Sequence, residues 1–473
     1  MVSDEIVRLG HVSTNPYQHV SNKEYAAYPK DDNWAKLGID TSQYIQPARG
    51  PIAELESLIS QNAGVRHVEE PPIEVLDMIV EIVDNKYPRS IDPFDKLHSM
   101  SYWTNFILPH VVADSSPGWP TAQISAKNGD ILSNPALATL VTTLAISRIE
   151  RLSKIEPDVL EHHLQDDPLW ALDNDLADVH RIFVKKEPHP MRKLEKRSWR
   201  LINVLSLVDN LVDRFLFTEQ DSVELATWNS IPSKCGSGLT DADARLLAEY
   251  AKDNRLNLET DVSGWDIKVP YFLLKLDIEA RRKLNHGSIY WYNAARNVTT
   301  LAAHKIVMSS DGSLYRRLVP GGQSSGRKVT SSSNSRMRFM LHVLVSDHFG
   351  FCTVGAMTQG DDCVEHLPEN ISPEEYKKFM GTLGITIKLA ERCSHADFGF
   401  CSQRFTEEGK HVIPENVGKM ICNYTFETDE QCIEEAYASL RTNTRHCANH
   451  KIIDYAREIL DKRLSAASRK LNE

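Results

Sequence analysis

An α+β fold follows from three features of the sequence: helical periodicity toward both ends of the chain, short strand-like runs in the middle, and turn residues between them. The first stretch, to about Pro51, is polar and rich in Tyr, Asn and Pro, so it reads as a wrap over something larger. Apolar spacing then predicts helices over 52–61, 72–83 and 136–152, with a rigid Pro/Gly loop, SSPGWP, at 115–120. Alternation predicts a strand at 256–260, and Asp311-Gly312 suits a type I′ turn in a hairpin over 306–319. A helical pattern runs over 327–345, and strands are expected at 352–359 and 363–367, joined by the turn Gly360-Asp361-Asp362. Ser372 and Glu375 form a capping box with Pro373 at the first helical position, and the strand ITIKL (385–389) follows that helix. Two further helices are expected over 429–441 and 451–470.

The 473 residues suffice for two to four domains or one large multi-lobed unit. A net charge of −11 argues against a coat with a uniformly basic surface, yet leaves room for a local basic channel. All eight cysteines lie at or after Cys235 without a C-x-x-C pair, and Met1 is not followed by a basic and then apolar leader. A reduced, cytosolic setting is the expectation. No apolar run approaches the roughly 18 residues a membrane span needs, so attachment to membranes would come through partners.

Four constellations carry chemistry. In DVSGWD (261–266), Asp261 ends a strand and the chain turns through Gly264. It reads either as an acidic turn or as a metal ligand, with a second carboxylate, Asp266, serving another purpose. In PGGQSSGRKVTSSSNSRMRFM (320–340), Ser325 and Gly326 offer free N–H groups at the start of a helix, and Thr330 and Asn334 share one helix face. Small polar residues are poor helix formers, so other interactions must hold that first turn. In TQGDDCVEH (358–366), a hairpin turn puts Asp361 and Asp362 at a strand tip. If that tip neighbours Asp261, three carboxylates converge and repel one another unless cations lie between them. Two Mg²⁺ ions fit, since Mg²⁺ takes a few carboxylates together with water and phosphate oxygens. The fourth, RIFVKKEPHPMRKLEKRSWRLI (181–202), carries eight Lys and Arg against Glu187 and Glu195, a local net of +6 suited to a triphosphate.

The order KKEPH, Arg200-Leu-Ile, D-x4-D, SG-x3-T-x3-N and GDD resembles the palm of viral RNA-dependent RNA polymerases. FVKKEPH, then RLINVLSLVDNLVDRFLF and FCSQRF, resembles more narrowly the sobemovirus-like polymerases of positive-strand RNA viruses. The resemblance implies a right-hand fold: fingers over 1–200 and 276–322, palm over 201–275 and 323–405, and thumb over 406–473. It implies Asp261 and Asp361 as the main metal ligands with Asp362 nearby, binding Mg²⁺ with Mn²⁺ as a substitute. Asp266 and Asn334, assisted by Thr330 or Ser325, would read the ribose 2′-hydroxyl. A 2′-hydroxyl both donates and accepts, so carboxylate and amide partners suit it. Lys186 and Arg200 match triphosphate contacts, with Lys193, Lys196 and Arg197 in uncertain register between them. The SSPGWP loop, with Ser115 and Gly118, resembles the loop that guides template. Gly326 would also contact RNA, and Cys401 and Ser402 resemble the turn that grips the primer end. Lys388, with Arg392 as its rival, would protonate the leaving pyrophosphate as a general acid.

RNA template, RNA product and NTPs are the implied partners, with a genome-linked protein primer and other viral replication proteins as further candidates. The implied location is host cytoplasm, in membrane-associated replication complexes. A reverse transcriptase would be expected to carry a bulky aromatic where Asp266 and Asn334 stand. A structural RNA-binding protein leaves the converging carboxylates unexplained. Cys432, His446, Cys447 and His450 fit no closed zinc pattern, Trp265 reads as a packing residue, and His189 carries no derivable role.

Overall fold

The strand-like runs of the middle gather into two principal sheets in the computed structural model, which describes residues 2–17, 19–28, 32–238, 240–352, 355–429, 432–447 and 450–470. One is four-stranded and antiparallel, in the spatial order Ala356–Gln359, Asp362–Glu365, Leu258–Val262, Ile387–Arg392. Its register sets Cys363 opposite Thr260 and Leu389 opposite Asp261. The acidic hairpin and the DVSGWD strand are therefore neighbours. Leu258 and Val262 of this sheet pack with Met337 and Leu341 of the helix Thr330–Phe349, Leu273 of Tyr271–Leu284, and Ile79 of Ile73–Lys86. This core, rather than any loop, carries the acidic strands.

The second sheet has five strands, ordered Ile6–His11, Ser313–Arg317, Ile306–Met308, His180–Val184, Leu201–Val204. Its first strand belongs to the polar N-terminal stretch, which does wrap. Further along, Trp34 is fully buried among Ile421, Leu440 and Leu460, and the Tyr28 hydroxyl donates to Glu427 at 2.7 Å. The first fifty residues thus tie the five-stranded sheet to the C-terminal helices Ile433–Asn443 and Lys451–Lys470.

The expected helices near the N-terminus stand at Pro51–Asn62, Ile73–Lys86 and Pro135–Ser153. Three local expectations need correction. The hairpin over 306–319 closes with four residues, 309–312, and only Gly312 of them has positive φ (89°), so no type I′ turn forms. Asp311 instead accepts hydrogen bonds from the Ser309 hydroxyl and from Ser313 N. The serine-rich helix starts at Thr330 rather than 327, leaving Ser325 and Gly326 in the preceding loop. The strand expected from 352 begins at Ala356, and 353–354 of that expectation, like 430–431 of the helix expected over 429–441, lie outside the described residues.

What favours serines in a helix is a buried charge lattice. Ser332 donates to Asp221 at 2.7 Å and Ser333 to Asp277 at 2.7 Å. Arg281 binds Asp221 and Asp277, each at 3.1 Å, while Arg336 binds Asp277 at 2.6 Å and also pairs with Glu224. These groups come from three helices, Leu207–Ala226, Tyr271–Leu284 and Thr330–Phe349, and all are buried. A serine-to-carboxylate seam lets the polar first turns of this helix pack in the interior, because the buried charges find partners. Replacing Asp277 by Ala takes one carboxylate partner from each of two buried guanidiniums and should cost about 3–5 kcal/mol in a denaturant titration. Lys462→Ala, which removes an exposed pair on the last helix, should stay within about 0.5 kcal/mol of the parent.

Candidate active site

The hairpin 356–365 turns through Gly360, whose φ of 65° is the left-handed value that favours glycine at the first position of a two-residue turn. Asp361 completes the turn. Asp362 pairs with Gln359 and so opens the returning strand, where the sequence placed it in the turn. Asp261 sits one strand away, its Oδ2 accepting from Lys388 Nζ at 2.5 Å. The charges of Asp261 and Asp361 act on the hairpin carboxyls. Burial raises the proton affinity of Asp361, and the charge of Asp261 raises it further. Asp362 is pushed up to about 7 by burial, then by Asp361 and Asp261. Among the described residues no three side chains already close into a cation cage. The donor set is nonetheless hard oxygen only, crowded and partly buried, which suits a divalent cation.

Behind the carboxylates, Asn334 Nδ2 donates to Asp266 Oδ1 at 3.3 Å, and the buried Asn334 Oδ1 has no hydrogen-bond partner. Burial and then the Asp361 charge raise the Asp266 carboxyl, tying this pair electrostatically to the hairpin. Thr330 does not join them: its hydroxyl donates to the Ser324 and Arg327 carbonyls at 2.7 and 2.9 Å and braces the loop. Ser325 Oγ accepts from Asn203 N at 3.2 Å, fastening the same loop to the five-stranded sheet. The backbone beside Asp266 is pinned by Arg317, which donates to the Ile267 carbonyl, while Lys305, which donates to the Ala302 and Gly322 carbonyls at 3.1 Å each, acts on Asp266 through its charge.

The basic segment 181–202 gains its shape from His189. Its Nε2 accepts from Arg200 N at 3.1 Å, so the ring proton stands on Nδ1 and donates to the Glu187 carbonyl at 3.0 Å. Burial lowers this imidazole to about 4, in keeping with a neutral ring clamping the two arms. Arg200 then stands close enough to lower both Asp361 and Asp266. Lys186 is not brought to the site. It pairs with Asp429 at 2.8 Å and bridges toward the C-terminal helices.

The remaining expected residues line the approaches. A Cβ on Gly118 would stand 2.1 Å from the Leu205 carbonyl oxygen, and one on Gly326 would stand 2.2 Å from that of Asn203. Both loops therefore close on segment 203–205. Ser115 secures its loop through its carbonyl, which accepts from Asn128 N at 2.9 Å. Cys401 and Ser402 form a two-residue hairpin turn with φ of 52° and 60°, and burial and then the Asp362 charge raise the Cys401 thiol. Arg392 faces away, donating to the Pro368 and Ile371 carbonyls at 2.9 and 2.7 Å.

Comparison with known proteins now decides the family. A profile described as viral RNA-directed RNA polymerase matches residues 132–255 and 244–410. The RNA-directed RNA polymerase of Mushroom bacilliform virus is 31% identical over 306 residues, 63% of this chain and 70% of that protein. This chain belongs to the viral RNA-directed RNA polymerases. Replicase polyprotein P2AB of Southern cowpea mosaic virus is 30% identical over 448 residues, 90% of this chain, which spans 44% of that polyprotein's length. A sicinivirus 3Dpol RNA-dependent RNA polymerase superposes with a TM-score of 0.64 over 87% of this chain and 85% of its own, at 15% identity, which shows the right-hand polymerase fold. Polymerases of this family use divalent metal ions and bind RNA and NTPs.

Sequence reasoning missed five parts of this site. Glu415, a further carboxylate, acts electrostatically on Asp362. Ser335 Oγ accepts from Gly360 N at 2.9 Å, and Arg338 Nε donates to the Asp361 carbonyl at 3.3 Å. Lys305 and His189 complete the set. Arg338 left a signal, since 330, 334 and 338 fall on one helix face. Three buried imidazoles near the site are held neutral, His180 near 3 and His189 and His304 near 4, each mainly by burial. Unfolded, each titrates near 6.5, so the unfolded chain binds the extra protons and stability is lost as pH falls from 6.5 toward 4. The expected slope is about 1.4 kcal/mol per pH unit for each ring at the steep part. Denaturation midpoints at a series of pH values should show it, with a shallower slope in His189→Gln.

Proposed function

We propose that this chain carries out template-directed RNA synthesis from NTPs, with Asp261 and Asp361 as the principal ligands of Mg²⁺ and Asp362 as their companion. When bound, the cations supply charge that stabilises the attacking 3′ oxygen and the departing pyrophosphate. Everything else falls to the chain. Arg200, held by His189 over the carboxylates, is placed to take the triphosphate. Lys193 lies in the same segment beside Arg200, and burial followed by its basic neighbours lowers its ammonium. Lys388 Nζ, on Asp261, is placed to give a proton to the pyrophosphate as it leaves. The turn at Cys401 and Ser402 lies beside Asp362, the position expected of a grip on the growing strand.

The observation that carries the reading is the Asp266–Asn334 pair. A buried amide oxygen without a partner, beside a carboxylate and one step behind the acidic hairpin, is short of one hydroxyl. A ribose 2′-hydroxyl can donate to the orphaned Asn334 Oδ1, which a deoxyribose leaves without a partner. Neither position carries the bulky aromatic expected of a DNA-making relative. Assembly with other viral replication proteins fits the polyprotein relatives and belongs to the same proposal.

Two variants test it. Asp361→Ala should lower template-dependent NTP incorporation roughly 100-fold or more, the scale on which loss of one transition-state stabiliser acts. Retained activity sinks the ligand assignment. Asp266→Ala should narrow the NTP/dNTP preference, measured as the ratio of kcat/KM, by at least about tenfold. An unchanged ratio would remove the ribose-reading role.

A further inference from the structure

Ser335, Arg338, His342 and Tyr376 are buried and touch the acidic hairpin. Arg338, from the helix Thr330–Phe349, also touches the strand beside it and is fully buried. Its Nη2 donates to Thr260 Oγ1 at 2.7 Å, its Nε to the Asp361 carbonyl at 3.3 Å, and it pairs with Glu365 at 3.4 Å. Thr260 precedes Asp261 in the strand Leu258–Val262, and its hydroxyl donates on to the Cys363 carbonyl at 3.2 Å. Glu365 in turn is held by His342 at 3.0 Å and by the Tyr376 hydroxyl at 2.7 Å. One planar fork thus binds the residue next to Asp261, the backbone of Asp361, and the far end of the Asp362–Glu365 strand.

A buried ion pair is a costly way to stabilise a sheet, because an apolar pair of equal volume often does better. Its position explains it. Guanidinium keeps its charge at any working pH and directs its donors rigidly, where lysine would offer a flexible point charge. The carboxylates above it repel one another and would spread apart without cations. We propose that Arg338 is a positioning residue for metal binding, holding Asp261 and Asp361 at ligating separation and supplying counter-charge from below before any cation arrives. A ligand set arranged in advance does not spend binding energy on gathering itself, so the cation binds at lower concentration. The inference rests on the metal assignment above.

The test reads cation binding directly, by the loss of free Mn²⁺ signal in electron paramagnetic resonance, on full-length protein without nucleotide. Thermal melts of the same samples report folding. Arg338→Met should weaken Mn²⁺ binding by about tenfold, the worth of a lost charged hydrogen bond. Arg338→Lys should recover part of the loss. Thr260→Val removes only the hydroxyl that receives Nη2, so it tests the contact even if Arg338→Met fails to fold, and it should weaken binding severalfold. A merely structural arginine would lower the melting temperature while leaving Mn²⁺ affinity per folded molecule unchanged, and that result in Thr260→Val and Arg338→Lys overturns the proposal. Asp361→Ala separates the two levels: if it loses Mn²⁺ while those variants keep it, the metal assignment stands and only the role of Arg338 falls. Parental binding in Asp361→Ala would overturn both.

Discussion

Repulsion among Asp261, Asp361 and Asp362 is the constraint around which this molecule is arranged. A hairpin and its neighbouring strand bring three carboxylates together in partly buried surroundings, where Asp261 raises the proton affinity of Asp361 and both raise that of Asp362. No sheet would hold that arrangement for its own stability. Counter-charges therefore approach from every side: Lys388 on Asp261, Arg338 beneath Asp361, and Arg200 reaching over from the basic segment. The ammonium of Lys388 occupies an oxygen that a cation would take, so it balances charge at the site until the cation arrives.

The rest of the fold follows from making such a site rigid. The helix Thr330–Phe349 performs four tasks with one surface sequence. Its serines satisfy Asp221 and Asp277, Asn334 meets Asp266, Ser335 holds Gly360, and Arg338 joins the two acidic strands. That is why its first turns are polar although Met337, Met340, Leu341 and Leu344 pack in the core, and why it begins in a loop that is itself anchored to Asn203 and braced by Thr330. The N-terminal stretch closes the assembly from outside, from the five-stranded sheet to Trp34 among the C-terminal helices.

Much of this was legible in the residues, and the division is physical. Helices with clear apolar periods appeared within about three residues of their expected ends, since burial of one face specifies them. The capping box at Ser372 and Glu375 formed as written, because it is local. The adjacency of Asp261 to the acidic hairpin was expected from motif order and is present in the register. The parts that escaped depend on distant partners. Nothing local to Arg338 announces Thr260, and nothing in KKEPH says that His189 will accept from Arg200. The type I′ turn expected at Asp311-Gly312 failed because the Asp311 carboxylate organises a longer loop, whereas Cys401-Ser402, with no glycine, adopts positive φ at both positions. Lys186 was placed with the triphosphate contacts by its motif, but its reach carries it to Asp429.

The central claim is that divalent cations relieve the repulsion among these carboxylates. Anomalous diffraction from crystals soaked in Mn²⁺ and a non-hydrolysable NTP tests it most directly. The account predicts density between Asp261 and Asp361, with Lys388 Nζ drawn away from Asp261 toward the phosphates. Nucleotide bound with Lys388 still on Asp261 and no anomalous peak beside the hairpin would contradict it.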